Sequence, residues 1–258
     1  MGLGHYFWVL RYLRRPYIIS RAILRPVEEW ESKRHQLRLS EYDRYSVSLQ
    51  EGIENLTGIE RSDVVRLTKE LDGSDFLQHV DLCIKQTGGI DDSLDIESGL
   101  LLYVLARALK PEVVVETGVA SGISSSFILK ALDKNGRGRL YSIDLHYREG
   151  VAVPFGKELG WIIPEELRYR WSLNLGESIK VLPKLLDELG SVNIFLHDSR
   201  HTYKTMMSEY IIVWSFLKDG VLLSDDVACN DAFLDFADSV KQKPIIVKRI
   251  GAIRKIWA

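Results

Sequence analysis

The apolar positions of this chain fall into two regimes that meet at Pro111. Upstream, apolar residues recur three and four apart in "ERSDVVRLTKEL" and in "LDIESGLLLYVLARALK", the spacing of helices with one buried face. Ser62 is the expected N-cap of the first. Pro111 stops the second, because the residue before a proline is pushed out of the helical region. "TGGIDDS" between them reads as a loop. Downstream, short β-branched runs alternate with helical stretches. "VVVET" (113–117), "GRLYSIDLH" (138–146), "RYRWSLNLG", "VNIFLHD" and "GVLLSDDV" read as five strands. "SSSFILKAL", "ESIKVLPKLLDELG" and "TYKTMMSEYIIVWSFL" read as the helices that join them. The continuous apolar run of "VVVET" suits a parallel strand covered on both faces. "KPIIVKRIGAIRKIWA" predicts two closing strands with Gly251 as the turn or bulge between them. Repeated strand–helix units imply an α/β fold with a doubly wound, mostly parallel sheet, whose ligands bind beyond the carboxyl ends of the strands.

Composition narrows this picture. The 258 residues, 46% hydrophobic and 27% charged, have the balance of a soluble globular protein large enough for one α/β domain with a helical addition. A formal net charge of −2 gives no reason to expect nucleic acid as a partner. Cys83 and Cys229 make no disulfide framework and suit a reducing, cytoplasmic setting. The first 27 residues are different: Arg11, Arg14, Arg15, Arg21 and Arg25 are interleaved with Tyr6, Phe7, Trp8, Tyr12 and Tyr17, with no acid. Such a basic amphipathic stretch can lie on an anionic membrane surface, but packing on its own domain or on a second subunit is the favoured expectation.

Two clusters carry candidate chemistry. In "VVVETGVASGISSS" the strand-to-helix turn holds Glu116, Gly118 and Gly122, spaced E-x-G-x-x-x-G, with Ser121, Ser124, Ser125 and Ser126 at the helix start. Glycine supplies the turn and lets a ligand approach the backbone, and the helix N-terminus offers unpaired N–H groups. Asp144 ends the second strand, where a carboxylate suits the two hydroxyls of a ribose. The dinucleotide fingerprint G-x-G-x-x-G is not present. The second cluster is Asp198 at the end of the fourth strand with Asp225 and Asp226 at the end of the fifth. Adjacent parallel strands bring all three to one sheet edge, where they repel unless a cation or shared proton intervenes. Oxygen ligands favour a hard ion such as Mg²⁺. Alternatively, each aspartate is a cap or turn residue.

These motifs, from about Ile96 to the C-terminus, resemble the class I S-adenosylmethionine-dependent methyltransferases. "HDSRHTY" and "LLSDD" are similar to the metal-dependent O-methyltransferase branch that holds macrocin-type and cephalosporin-hydroxylase-like proteins, related to the catechol type. The resemblance implies a Rossmann-like, seven-stranded sheet whose last strands include an antiparallel one. It divides the chain into a helical extension (1–95) and a cofactor-binding domain (96–258). By the same resemblance Glu116, Gly118, Ser121 and Gly122 hold the methionine part of the cofactor, Asp144 the ribose, and the turn with Glu177 and Ser178 borders the adenine. Asp198, Asp225 and Asp226 would bind the metal, and His201, where the catechol type has a lysine three residues beyond the strand-four aspartate, would be the general base. Asp225-Asp226 also replaces an Asp-Asn pair. His197 is expected to face away from Asp198 as support, and Arg200 and Tyr203 to line the acceptor pocket or solvate the helix start.

The expected activity is methyl transfer to a hydroxyl of a small molecule such as a sugar, polyphenol or natural product, by a homo-oligomer. Two alternatives stand beside it: a hydroxylase-like relative that keeps fold and metal without methylating, and a non-catalytic module whose basic N-terminus binds a membrane or partner.

Overall fold

The computed structural model describes residues 39–86, 95–145 and 153–255; the basic N-terminal segment lies outside them. Four helices come first: α1 (Leu39–Tyr45), α2 (Leu49–Thr57), α3 (Arg61–Lys69) and α4 (Asp75–Gln86). Then α5 (Ile96–Leu109), β1 (Val113–Thr117), α6 (Ile123–Asn135), β2 (Arg139–Asp144), a 3-10 turn (Glu165–Arg170) and β3 (Trp171–Leu175) follow. The chain closes with α7 (Ser178–Leu189), β4 (Val192–His197), α8 (Tyr203–Trp214), β5 (Leu217–Ser224), α9 (Ala232–Ser239), β6 (Ile245–Val247) and β7 (Ile250–Arg254).

The strands form one sheet in the order β3-β2-β1-β4-β5-β7-β6. β1 to β5 are parallel, and β7 runs antiparallel to β5 and to β6. The expected doubly wound sheet with an antiparallel closing pair is therefore present. Its chain order reverses between β1 and β4, which opens a crevice at their carboxyl ends.

Alternation along each strand builds two apolar layers. Val114, Leu140, Ile194, Leu196 and Leu223 face α5 and α6, and the same cluster takes in Ile53, Leu56, Val64 and Val80 of the first helices. Val115, Ile143, Phe195, Leu222 and Ile253 face the opposite layer with Leu182, Leu186, Tyr210, Phe233 and Phe236. α5 is buried over most of its circumference, which explains why it reads as an almost unbroken apolar run. It starts at Asp95, whose side chain accepts a hydrogen bond from the Ser98 N–H, and ends at Lys110 in the left-handed conformation before Pro111.

Two local expectations are corrected. Ser62 does not cap α3; the N-cap is Glu60, without a side-chain hydrogen bond, and Ser62 lies inside the first turn. Nor does Gly251 make the last turn. The two-residue link Lys248-Arg249 does so, with Lys248 at φ 56, while Gly251 is paired within β7 to Ser224 and Ile246. Glycine is needed there for packing, since a Cβ would come within 2.5 Å of the Phe233 ring.

Candidate active site

β1 and β4 end side by side, and this places the glycine turn against Asp198. Asp198 N–H donates to the Thr117 carbonyl at 2.8 Å. Gly118 has φ 87, and a Cβ on it would lie 1.8 Å from the Asp198 carbonyl oxygen. Gly122 (φ 92) is also crowded, its absent Cβ 2.7 Å from the Gly160 Cα. Both glycines are thus required by the protein's own backbone. The segment after residue 153 roofs the turn: Gly160 N–H donates to the Ala120 carbonyl and Ile162 N–H to the Ser121 carbonyl.

Of the three acids expected at the cofactor, Asp144 and Glu116 are both engaged inside the protein. Asp144 is buried; its Oδ2 accepts from the Val119 and Ala120 N–H groups at 2.8 and 2.9 Å, and its Oδ1 from the Leu145 N–H at 2.6 Å. It therefore fixes the turn. Glu116 projects from the α6 face of β1 into a cage of hydroxyls: Ser142 donates at 2.7 Å, Ser124 at 3.2 Å, and Ser125 also donates. Complete burial outweighs these donors and pushes the Glu116 carboxyl up to about 7. Glu177 is exposed and paired with Lys180 at 2.8 Å, which holds its carboxyl below the ordinary value. Ser178 begins α7 and interacts through its hydroxyl with Glu209.

The acidic cluster forms as its strand positions require. Asp198, His201 and Asp225 each place a donor atom within 4.8 Å of the others, so the histidine joins two of the three expected aspartates. His201 Nε2 is 3.8 Å from Asp198 Oδ1 and 3.8 Å from Asp226 Oδ2. Asn230 holds the His201 backbone by donating to its carbonyl at 3.2 Å. Asp226 is in the left-handed conformation (φ 49), at the start of the turn after β5. Burial, then the neighbouring Asp225 and Glu116, push the Asp198 carboxyl well above the usual range. Asp225 is 1% exposed and is pushed up to about 6 by burial and Asp226, against the pull of Arg249. Its Oδ1 is buried and accepts no hydrogen bond.

Two residues that the sequence did not single out complete the site. Arg249, in the β6–β7 turn, places Nη2 2.7 Å from Asp225 Oδ2 and 2.7 Å from Asp226 Oδ1. Glu209 of α8 lies fully buried beneath the end of β4. It accepts from Thr117 Oγ1 at 2.6 Å and Ser199 Oγ at 2.9 Å, and its Oε2 is 2.6 Å from His197 Nδ1. His197 is completely buried on this side of the sheet, its ring perpendicular to that of His201 with centroids 5.4 Å apart. Tyr203 turns away from the cluster and donates to Asp235 at 2.9 Å, while Arg200 is exposed.

Residues 115–227 match a protein family described as a methyltransferase domain. No curated protein matches the chain in sequence. Among solved structures it is similar to the O-methyltransferase TomG of Streptomyces achromogenes, involved in tomaymycin synthesis and solved with SAM. That match has 16% identity and a TM-score of 0.54, over 71% of this chain and 91% of that one. An O-methyltransferase of Bacillus cereus in complex with SAH matches at 13% identity and TM-score 0.54, over 79% and 100%. The SAH-bound methyltransferase PaMTH1 of Podospora anserina matches at 14% identity and TM-score 0.54, over 74% and 93%. At these identities the structural likeness is one of fold. The family match spans the glycine turn, Asp144 and the carboxylate cluster together, so these residues lie within the part of the chain that is similar to a methyltransferase domain.

Proposed function

We propose that the chain transfers a methyl group from S-adenosylmethionine to a hydroxyl of a small molecule, assisted by a divalent ion at the carboxylate cluster. The observation that carries this reading is the direct contact between the glycine turn and Asp198, which sets a cofactor loop against an acid–imidazole cluster. Similar folds that bear the name O-methyltransferase support the choice of oxygen as acceptor.

The residues present fit both groups. Asp144, at the carboxyl end of β2, is the carboxylate placed for a ribose hydroxyl. In the register of β2 with β3, Asp144 stands opposite Leu175. Leu175 and Ile179, 46% and 47% exposed on either side of the Gly176–Glu177 turn, offer apolar surface for a planar base. For the ion, the carboxylates of Asp198 and Asp225 are hard oxygen donors, and the unpartnered Oδ1 of Asp225 supplies a buried acceptor. When bound, the sulfonium supplies an electrophilic methyl and the ion lowers the pKa of a hydroxyl beside it.

The chain's own residues then do two things. Thr117–Gly122, held by Asp144 and roofed by Gly160, fixes the position and direction of the methyl donor. His201 takes the acceptor proton at Nε2, where Asp198 and Asp226, each 3.8 Å away, stabilise the imidazolium. Calorimetric titration with S-adenosylmethionine tests the hold on the donor. Binding is expected, weakened by Asp144→Ala, and its absence in the wild type would remove the proposal. Activity that survived both chelator and Asp225→Ala would remove the ion.

A further inference from the structure

We infer that Arg249 is a tethered counter-ion of the carboxylate cluster that competes with a divalent ion and sets how tightly it is held. The inference deepens the proposal above and rests on its reading of the cluster as an ion site.

Three carboxylates, Asp198, Asp225 and Asp226, meet at the edge of the sheet, and Arg249 supplies one positive charge to them. One nitrogen, Nη2, bridges Asp225 and Asp226 at 2.7 Å each. It thereby occupies the side of the cluster where both strand-five carboxylates could otherwise turn toward a shared ion. On the other side remain Asp198, His201 and the buried, unpartnered Oδ1 of Asp225. That orphaned oxygen on a 1%-exposed side chain shows the guanidinium does not satisfy the cluster. Among the described residues, with all four side chains ionised, the three carboxylates and Arg249 leave −2, the charge a divalent ion cancels.

The arginine is aimed by its hairpin. Arg249 occupies the second position of the two-residue turn between β6 and β7, so its backbone is set by the ladder on both sides. Lys248, the first position, reaches the opposite way and pairs with Asp95 at 3.7 Å and with Glu97, at the start of α5. The tip of the hairpin is thus pinned between the N-terminus of α5 and the cluster.

The direction of the effect separates this from a merely structural role. If Arg249 only oriented Asp225 and Asp226, removing it would loosen the ligands and weaken ion binding. If it is a competing cation, removing it strengthens binding, because a fixed positive charge a few ångströms from a divalent ion is strongly repulsive in a half-buried site. The test uses Mn²⁺ alone, without cofactor, followed by the loss of the free-ion electron paramagnetic resonance signal. Arg249→Met is expected to tighten Mn²⁺ binding by roughly tenfold or more. Arg249→Lys, which keeps the charge, should stay within roughly threefold of wild type. Arg137→Met, at the opposite end of the strands, should leave the affinity unchanged. Equal or weaker binding by Arg249→Met would overturn the inference while leaving the ion site standing. No Mn²⁺ binding in any variant would overturn both the inference and the ion's part in the proposed reaction, with the cofactor titration unaffected. If Arg249→Met does not fold, exposed Lys248→Ala decides: loosening the tether should tighten Mn²⁺ binding, and an unchanged affinity overturns the inference.

Discussion

Glu209 is the residue whose replacement tests the interior of the site most sharply. Its carboxylate is completely buried yet receives Thr117 Oγ1 and His197 Nδ1 on Oε2, at 2.6 Å each, and Ser199 Oγ on Oε1 at 2.9 Å. Burial alone would raise its pKa, but the His197 imidazole and the hydroxyl donors outweigh it and hold the carboxyl below its ordinary 4.5. In Glu209→Gln the amide oxygen can take the place of Oε2 and keep Thr117 and His197, while the Ser199 hydroxyl turns to accept from the amide. What is lost is the charge in each bond, about 2–3 kcal/mol in all. Glu209→Ala strands the hydroxyls of Thr117, Ser178 and Ser199 and the His197 imidazole in a cavity and should cost about 4–5 kcal/mol. The sign of the pH effect follows from the depressed pKa: this stability is present above pH 4.5 and is lost as pH falls through the folded-state value. Urea unfolding from pH 7 down to pH 3 should show a shallower acid loss in Glu209→Gln than in wild type. A glutamine variant within about 0.5 kcal/mol of wild type at pH 7, or one with an unchanged acid slope, would refute the reasoning.

Glu116 should behave in the opposite sense. Its folded pKa, raised to about 7, contributes stability below pH 4.5 that is lost as pH rises through 7, so Glu116→Gln should flatten the decline between those values in urea unfolding. Gly118→Ala places a Cβ 1.8 Å from the Asp198 carbonyl in a left-handed backbone, and thermal unfolding should report a loss of about 3 kcal/mol or more, or no folded protein. Tyr42→Phe removes the hydroxyl that lies 2.6 and 2.8 Å from the Val227 and Asn230 carbonyls. It should cost about 1–2 kcal/mol in chemical denaturation and slow methyl transfer, since this loop carries the hold on His201.

The centre of the sheet was legible because β1 and β4 are buried on both faces: "VVVET" and "IFL" contain nothing but core until their last residues, and apolar runs of that length have few other uses. Gly251 misled because glycine signals a turn by its freedom of φ, whereas here it serves for its lack of a side chain against Phe233, and a lysine takes the left-handed position. Ser62 misled for a related reason, since a capping residue type one position inside a helix looks the same in sequence as one at its end. The carboxylates could be placed from strand ends alone, and so could their proximity. Arg249 could not, because it reaches the cluster from a hairpin that pairs antiparallel on the far side of β5. Glu209 was hidden within an apolar helix, with no local feature to say that one polar residue there faces His197 rather than water. Asp144 and Glu116 were found by position, but their engagement by turn N–H groups and by serines depends on the fold of both flanking elements.

The most direct test is a crystal structure of the chain grown with S-adenosylmethionine. The cofactor should lie along Thr117–Gly122, with a ribose hydroxyl on Asp144 and its sulfonium methyl facing Asp198 and His201. Cofactor bound elsewhere, or bound with the methyl turned away from that pair, would contradict the assignment of this edge of the sheet as the place of methyl transfer.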